Sequence, residues 1–155
     1  MLDDVDKKIL SLLQEDSAMS NADIGRQLNM APSGIFERIR KLEKRGIITG
    51  YEARVNTRAA GFGLLAFMYV KSTDRAGDLK NAKLLCKIPE VLEVHHIAGE
   101  DCYLLKIRAR DTDDLARILR EKIGSIKTIL STKTTIVFET IKETAKLPLN
   151  EKLNP

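Results

Sequence analysis

The sequence predicts an α+β protein in two parts: three short helices within residues 1–50, then a unit whose elements run strand, helix, strand, strand, helix, strand. Three observations carry this prediction. Apolar residues recur at helical spacing in three segments before Gly50, strand-like apolar runs dominate beyond Gly63, and cap or turn residues punctuate each change.

Val5, Ile9, Leu12 and Leu13 share one face of a helix predicted over 4–15, and Asp3, Asp4 and Asp6 suit the positive end of its dipole. Ser20 followed by Asp23 reads as the capped start of a second helix, carried by Ile24 and Leu28 and ending near Asn29. Pro32 suits the first position of a third helix. Along it Ile35, Ile39 and Leu42 repeat, and Gly46 supplies the stop. Three helices, the last two separated by a tight turn, match the helix-turn-helix pattern.

Residues 47–55 read as a turn leading into a short strand, and the glycine-bearing connection up to 63 completes a hinge. Beyond it lie strand 64–72, helix 78–87, strands 91–98 and 103–109, helix 112–123 and strand 127–139. Asp111 and Asp114 mark the start of the second of these helices. Pro89 and Gly124 punctuate the helix exits, and Gly99-Glu100-Asp101 forms a compact turn. This β-α-β-β-α-β order is that of a ferredoxin-like fold, an antiparallel sheet with both helices on one face. Strands 1 and 3 read as apolar on both alternating sets, so the open sheet face is expected to pack on another subunit. The expected organisation is a (winged) helix-turn-helix domain over 1–50, a hinge strand and linker over 51–62, the ferredoxin-like domain over 63–143, and a tail over 144–155. That tail is expected to be a mobile end or an arm on a neighbouring subunit.

Composition excludes other classes. With 43% hydrophobic and 31% charged residues the chain is no disordered polymer. No apolar run approaches the roughly 18 residues of a membrane span. The opening MLDDVDKK is acidic where a secretory signal is basic and then apolar, so a cytoplasmic protein without a membrane partner is expected. Two cysteines, Cys86 and Cys102, are too few for a disulfide framework.

The net charge of +4 points to nucleic acid only weakly, because the first fifty residues hold eight basic and eight acidic side chains. Within them, however, residues 36–45 carry five cations against Glu37 and Glu43. The apolar stripe of the third helix turns Ser33, Phe36, Glu37, Arg40, Lys41 and Lys44 outward and leaves Arg38 at the flank, and these together with Gly34 are the candidate DNA-binding residues. Small residues at its N-terminal end with cations further along suit the major groove of double-stranded DNA, where base edges meet the first and phosphates the second. An exposed Phe36 would meet a thymine methyl; its other reading is packing against the second helix.

His95 and His96 are adjacent on a strand and project to opposite faces, so they cannot easily chelate one metal; one packed and one exposed histidine is expected. Cys102 reads as a small strand residue rather than a redox thiol. No GxSxG, HExxH, CxxC or phosphate-cradling glycine loop occurs, so no enzyme activity, metal or cofactor is expected.

These residues carry a family resemblance. The opening LDDVDKKILSLLQEDSAMSNADIGRQLNMAPSGIFERIRKLEKRGIITGYEARVN, the segment IAGEDCYLLKI and the segment STKTTIVF resemble the Lrp/AsnC (feast/famine) family of transcriptional regulators over residues 1–140. The resemblance implies a DNA-binding domain, a hinge strand and a ligand-sensing domain. It implies homodimers through the latter that assemble into octamers, and amino acids or related metabolites as effectors. The effector would lie at subunit interfaces near the hairpin Gly99, Glu100, Asp101, Cys102 and Tyr103, with Thr134 and Thr135 as hydroxyl partners. Two departures stand out. Cys102 occupies the position where the family hairpin commonly has an aspartate, and a thiol cannot neutralise an ammonium group. Ala31 replaces the usual Ser or Thr cap of the third helix, a local loss of about 1 kcal/mol that Pro32 partly offsets. Two other readings share this scaffold: an enzyme similar to the siroheme decarboxylases, with His95 or His96 in acid work, and an architectural DNA-binding protein without an effector.

Overall fold

A computed structural model of the chain describes residues 2–74, 78–99 and 102–149. These form two compact units, one built from the described residues of segments 2–54 and 142–149 and the other from those of segment 55–141.

In the first unit, α1 (Asp4–Glu15), α2 (Asn21–Leu28) and α3 (Pro32–Lys44) start and stop where their caps dictate. Asp3 accepts the Asp6 backbone N–H at 2.7 Å, and Ser20 accepts that of Asp23 at 3.1 Å. Ala31 makes no side-chain cap, as its methyl requires, and Pro32 begins the helix in its place. Ile9, Ile24 and Ile35 are wholly buried and Leu42 nearly so, forming the core with Leu10. The turn between α2 and α3 is tight because of Gly25. A Cβ there would sit 2.6 Å from the Met30 carbonyl oxygen, while Asn29 takes the left-handed conformation at φ 54°.

The short hinge strand expected after the turn at 47–50 does not form. Residues 49–56 are exposed and have no ladder partner among the described residues, and a strand needs a neighbour for its backbone hydrogen bonds. Tyr51 instead donates to Glu43 Oε1 at 2.9 Å. The part of the tail up to 149 departs from expectation too, while residues 150–155 lie outside the described residues. The Leu147 N–H donates to Gln14 Oε1 at 2.7 Å, Gln14 Nε2 donates back to the Leu147 carbonyl at 3.2 Å, and Lys146 pairs with Glu15. Leu149 packs on the core of the first unit, so residues 146–149 form a strap on α1 rather than a free end.

The second unit is a four-stranded antiparallel sheet in the order β2-β3-β1-β4, built from β1 (Leu64–Ser72), β2 (Val91–His96), β3 (Tyr103–Ala109) and β4 (Ile129–Val137). Helix α4 is shorter than expected, Lys80–Leu85. Helix α5, Thr112–Arg117, continues as a π-helical turn over Ile118–Ile123, where the Gly124 N–H reaches back five residues to Leu119. Met68, Val70, Tyr103, Leu105 and Ile107 form the helix-side core with Leu85, Ile118 and Ile123. Cross-strand register places Leu65, Phe67 and Tyr69 on the open face together with Leu104, Lys106 and Arg108. The outer set of β3 is therefore apolar at one end only, a correction to the expectation of two apolar sets.

Asp114 anchors the start of α5. It accepts from Arg117 Nη2 at 2.7 Å and from the Arg110 backbone N–H at 3.1 Å, and these bonds to its charged form hold it at about 2, below the ordinary 3.8. A depressed pKa contributes stability that is complete above the ordinary value and is lost as pH falls through the folded one. Thermal melts of the wild type therefore steepen in their acid dependence between pH 4 and 2, and Asp114→Asn flattens that dependence. An identical slope in the variant removes Asp114 as its source.

Candidate functional site

The outward face of α3 forms because Ile35 and Leu42 are drawn into the core with half-buried Ile39 beside them. Helical geometry then turns Ser33, Phe36, Glu37, Arg40, Lys41 and Lys44 to solvent, and all six are exposed, with Gly34 half-buried between them. Phe36 is 51% exposed, so its ring is not packed away on α2. Arg40, Lys41, Lys44 and also Arg45 form no ion pair with a carboxylate among the described residues. Four uncompensated cations on one helix end make a field that attracts polyanions. Of the two acids on this face, Glu43 is occupied by the Tyr51 hydroxyl. Partial burial of that phenol and its bond to Glu43 push it up to about 12. Arg45 lay within the basic run that the sequence displays, and its exposure adds it to the face.

Arg38 differs from the other cations. Its Nη1 donates to Asp3 Oδ2 and to Asp6 Oδ1, each at 2.7 Å, and its side chain is only 32% exposed. Hydrogen bonds to Asp3 and Asp6 raise its pKa further, while the backbone bond from Asp6 and the guanidinium lower that of Asp3. Arg38 thus sits at the flank of α3 as expected, and there the guanidinium is drawn toward α1 by two carboxylates more than thirty residues away.

The residues expected around an effector are placed unevenly. Gly99 is exposed at φ 121°, a conformation that glycine alone adopts without strain, and nothing lies within 4 Å of where its Cβ would be. Glu100 and Asp101 lie outside the described residues. The Cys102 thiol turns toward the Ser72 carbonyl at 3.7 Å and packs on the core. Tyr103 is wholly buried, with its hydroxyl donating to Asp74 Oδ2 at 2.6 Å. Burial and that carboxylate raise its pKa, and the side chain belongs to a network with Asn81 and Thr128. Thr134 pairs with Met68 and Thr135 with Phe67, so the two hydroxyls project to opposite faces of the sheet and do not line one cavity. His95 and His96 also lie on opposite faces, opposite Leu104 and Tyr103. Both are exposed because β2 is an edge strand, yet the His96 ring packs on that of Tyr103 with centroids 5.5 Å apart, which leaves one packed and one free-standing ring as expected. His95 Nε2 lies 3.1 Å from Glu93 Oε2, and Glu93 also binds Lys106.

Comparison with known proteins agrees with both units. A winged helix-turn-helix DNA-binding model matches residues 2–49, and an Lrp/AsnC ligand binding domain model matches residues 65–147. The chain is 37% identical to the HTH-type transcriptional regulator FL11 of Pyrococcus furiosus, over 96% of this chain and 97% of that one. It is 30% identical to the leucine-responsive regulatory protein of Escherichia coli, over 97% and 93% of the two chains. A transcriptional regulator from Neisseria meningitidis solved in complex with L-methionine superposes with a TM-score of 0.90 at 30% identity, covering 97% of this chain and 98% of that one. With a helix-turn-helix face, a ferredoxin-like unit and relatives of this similarity over nearly its whole length, the chain belongs to the Lrp/AsnC family of transcriptional regulators.

Proposed function

We propose that the protein is a homo-oligomeric, sequence-specific DNA-binding regulator that reads the major groove with α3. The observation that carries this is the exposed, uncompensated set Arg40, Lys41 and Lys44 on the second helix of a helix-turn-helix. Ser33, Gly34, Phe36 and Glu37 occupy the end of α3 that approaches base edges, and the cations meet the phosphates. Two copies present two such helices to a near-palindromic site, with half-sites about one helical turn or a multiple of it apart. The mixed apolar and charged open sheet face supports a homodimer, from which octamers assemble. A cytoplasmic regulator without catalytic activity fits the relatives named as regulators.

The effector of this reading is an amino acid or related small metabolite at a subunit interface near Gly99, Glu100, Asp101, Cys102 and Tyr103. The methionine-bound relative supports it. Tyr103 would contribute backbone groups, its side chain being committed to the core, and Thr134 and Thr135 would serve different sides of the sheet. Cys102 supplies no carboxylate for an ammonium group, so the ligand's positive charge must find its partner elsewhere.

The test is selection of duplexes from a random pool, followed by competition against unselected duplex. A preference of about a thousandfold or more is expected for a specific regulator. Equal affinity for both pools would leave an architectural binder in its place. Calorimetric titration with the twenty amino acids, repeated while the selected duplex is bound, checks the effector. Heat from at least one amino acid together with a changed duplex affinity is the expected result, and silence across the set defeats an amino-acid effector.

A further inference from the structure

We propose that Arg38 is a positioning residue rather than a phosphate contact: by bridging Asp3 and Asp6 it holds α3 against the start of α1 and so sets the angle at which the exposed face of α3 meets DNA. The proposal rests on the DNA-binding reading given above.

The geometry is specific. Asp3 and Asp6 divide their carboxylate oxygens between two tasks. Asp3 Oδ1 accepts the Asp6 N–H at 2.7 Å and Asp6 Oδ2 accepts the Asp3 N–H at 3.5 Å, a reciprocal cap on α1. The remaining oxygen of each, Asp3 Oδ2 and Asp6 Oδ1, faces one nitrogen, Arg38 Nη1, at 2.7 Å. That nitrogen carries two hydrogens, one for each carboxylate. Asp6 is 8% exposed, so the Asp6 half of the bridge is shielded from water, where a charge-assisted bond holds its geometry best, while the Asp3 half lies at the surface.

Charge argues in the same direction. Arg38, Asp3 and Asp6 together sum to one negative charge, which repels a phosphate rather than attracting it. Arg40, Lys41 and Lys44 on the same helix have no such compensation among the described residues. A helix tied at one flank to the start of α1 and seated by Ile35 and Leu42 on the core has its orientation set on two sides, and misplacement of such a face costs affinity without removing a contact.

The two roles predict opposite effects for Asp6→Asn, which keeps the size and the cap acceptor while removing the charge. If Arg38 met phosphate, losing its competitor would free it and tighten binding. As a positioning residue it loses its anchor and binding weakens. The experiment measures anisotropy of a selected and an unselected duplex across a salt series for wild type, Arg38→Gln, Asp6→Asn, the double variant and Arg38→Lys. Circular dichroism melts verify that each is folded at the assay temperature. Expected is a loss of about tenfold for the selected duplex in Arg38→Gln and in Asp6→Asn, and no further loss when the two are combined. The salt slope stays at the wild-type value, and Arg38→Lys, whose ammonium can also bridge both carboxylates, recovers most of the affinity. A slope reduced by about 0.9 in Arg38→Gln, together with tighter binding by Asp6→Asn, overturns the proposal while leaving the DNA reading intact. Wild type that fails to prefer the selected duplex overturns that reading, and the proposal with it.

Discussion

Replacing Arg40, Lys41 and Lys44 together with alanine lowers affinity for any duplex by about a hundredfold per recognition helix at 0.15 M salt and flattens the salt dependence. The magnitude follows from counterion release. Each phosphate neutralised contributes roughly 0.9 to the slope of log affinity against log salt, so three contacts reduce that slope by roughly 2.7. The variant is a clean test because all three side chains are exposed and none forms an ion pair among the described residues. Alanine at exposed helical positions also costs α3 nothing in propensity. Fluorescence anisotropy of a labelled duplex between roughly 50 and 300 mM salt measures both quantities. A triple variant with the wild-type slope would show that phosphates are met by another surface. Loss of selected-duplex binding alone, with the slope intact, would move these residues from phosphate contacts to base contacts.

Ile35→Ala unfolds the DNA-binding unit while the sheet unit stays folded. Ile35 is wholly buried among Ile9, Ile24 and Leu42, and deleting such a side chain costs about 2–5 kcal/mol through lost transfer energy and the cavity left behind. A trihelical unit of this size has a stability reserve of the same order, since small domains bury a smaller share of their surface. Ile35 also faces inward from the helix that carries the cations, so losing its anchor removes the candidate site with the fold. Calorimetry should show an early transition displaced to low temperature and a later one unchanged, and duplex binding should vanish. One transition shifted as a whole would mean that the two units unfold cooperatively and that the cost is shared.

Much of this was legible from the residues. The bounds of α1, β1 and β3 follow from period and punctuation, because a helix or strand is stabilised chiefly by neighbours within four residues or by simple alternation. The outward set on α3 was readable for the same reason: once Ile35 and Leu42 are assigned to the core, helical geometry leaves no freedom for Arg40, Lys41 and Lys44. The Ser20 and Asp111 caps were readable because their partners sit three residues away.

What escaped depends on groups far apart in the chain. Arg38 and Asp3 are separated by 35 residues, so periodicity could place Arg38 on a flank but could not say that two carboxylates stand there. The Gln14 bonds to the tail span 133 residues, and a segment without periodicity such as 146–149 gives no sign that a helix surface awaits it. The segment 47–55 has strand-like residues but finds no ladder, because β-structure is completed by its partner and not by propensity. The expected hydroxyl pair Thr134 and Thr135 separates for a reason that alternation already contained: neighbours on a strand face opposite sides.

By itself, then, the sequence determined the element order, the caps and the identity of the exposed cationic face, all set by short-range sterics and by which side chains water rejects. Tertiary structure alone decided which of those cations remain free. Arg38 is compensated because folding brings the start of α1 beside α3, whereas Arg40, Lys41 and Lys44 keep their charge because no acid meets them among the described residues. Charge compensation depends on distance in space, and only the packing of helices sets that distance.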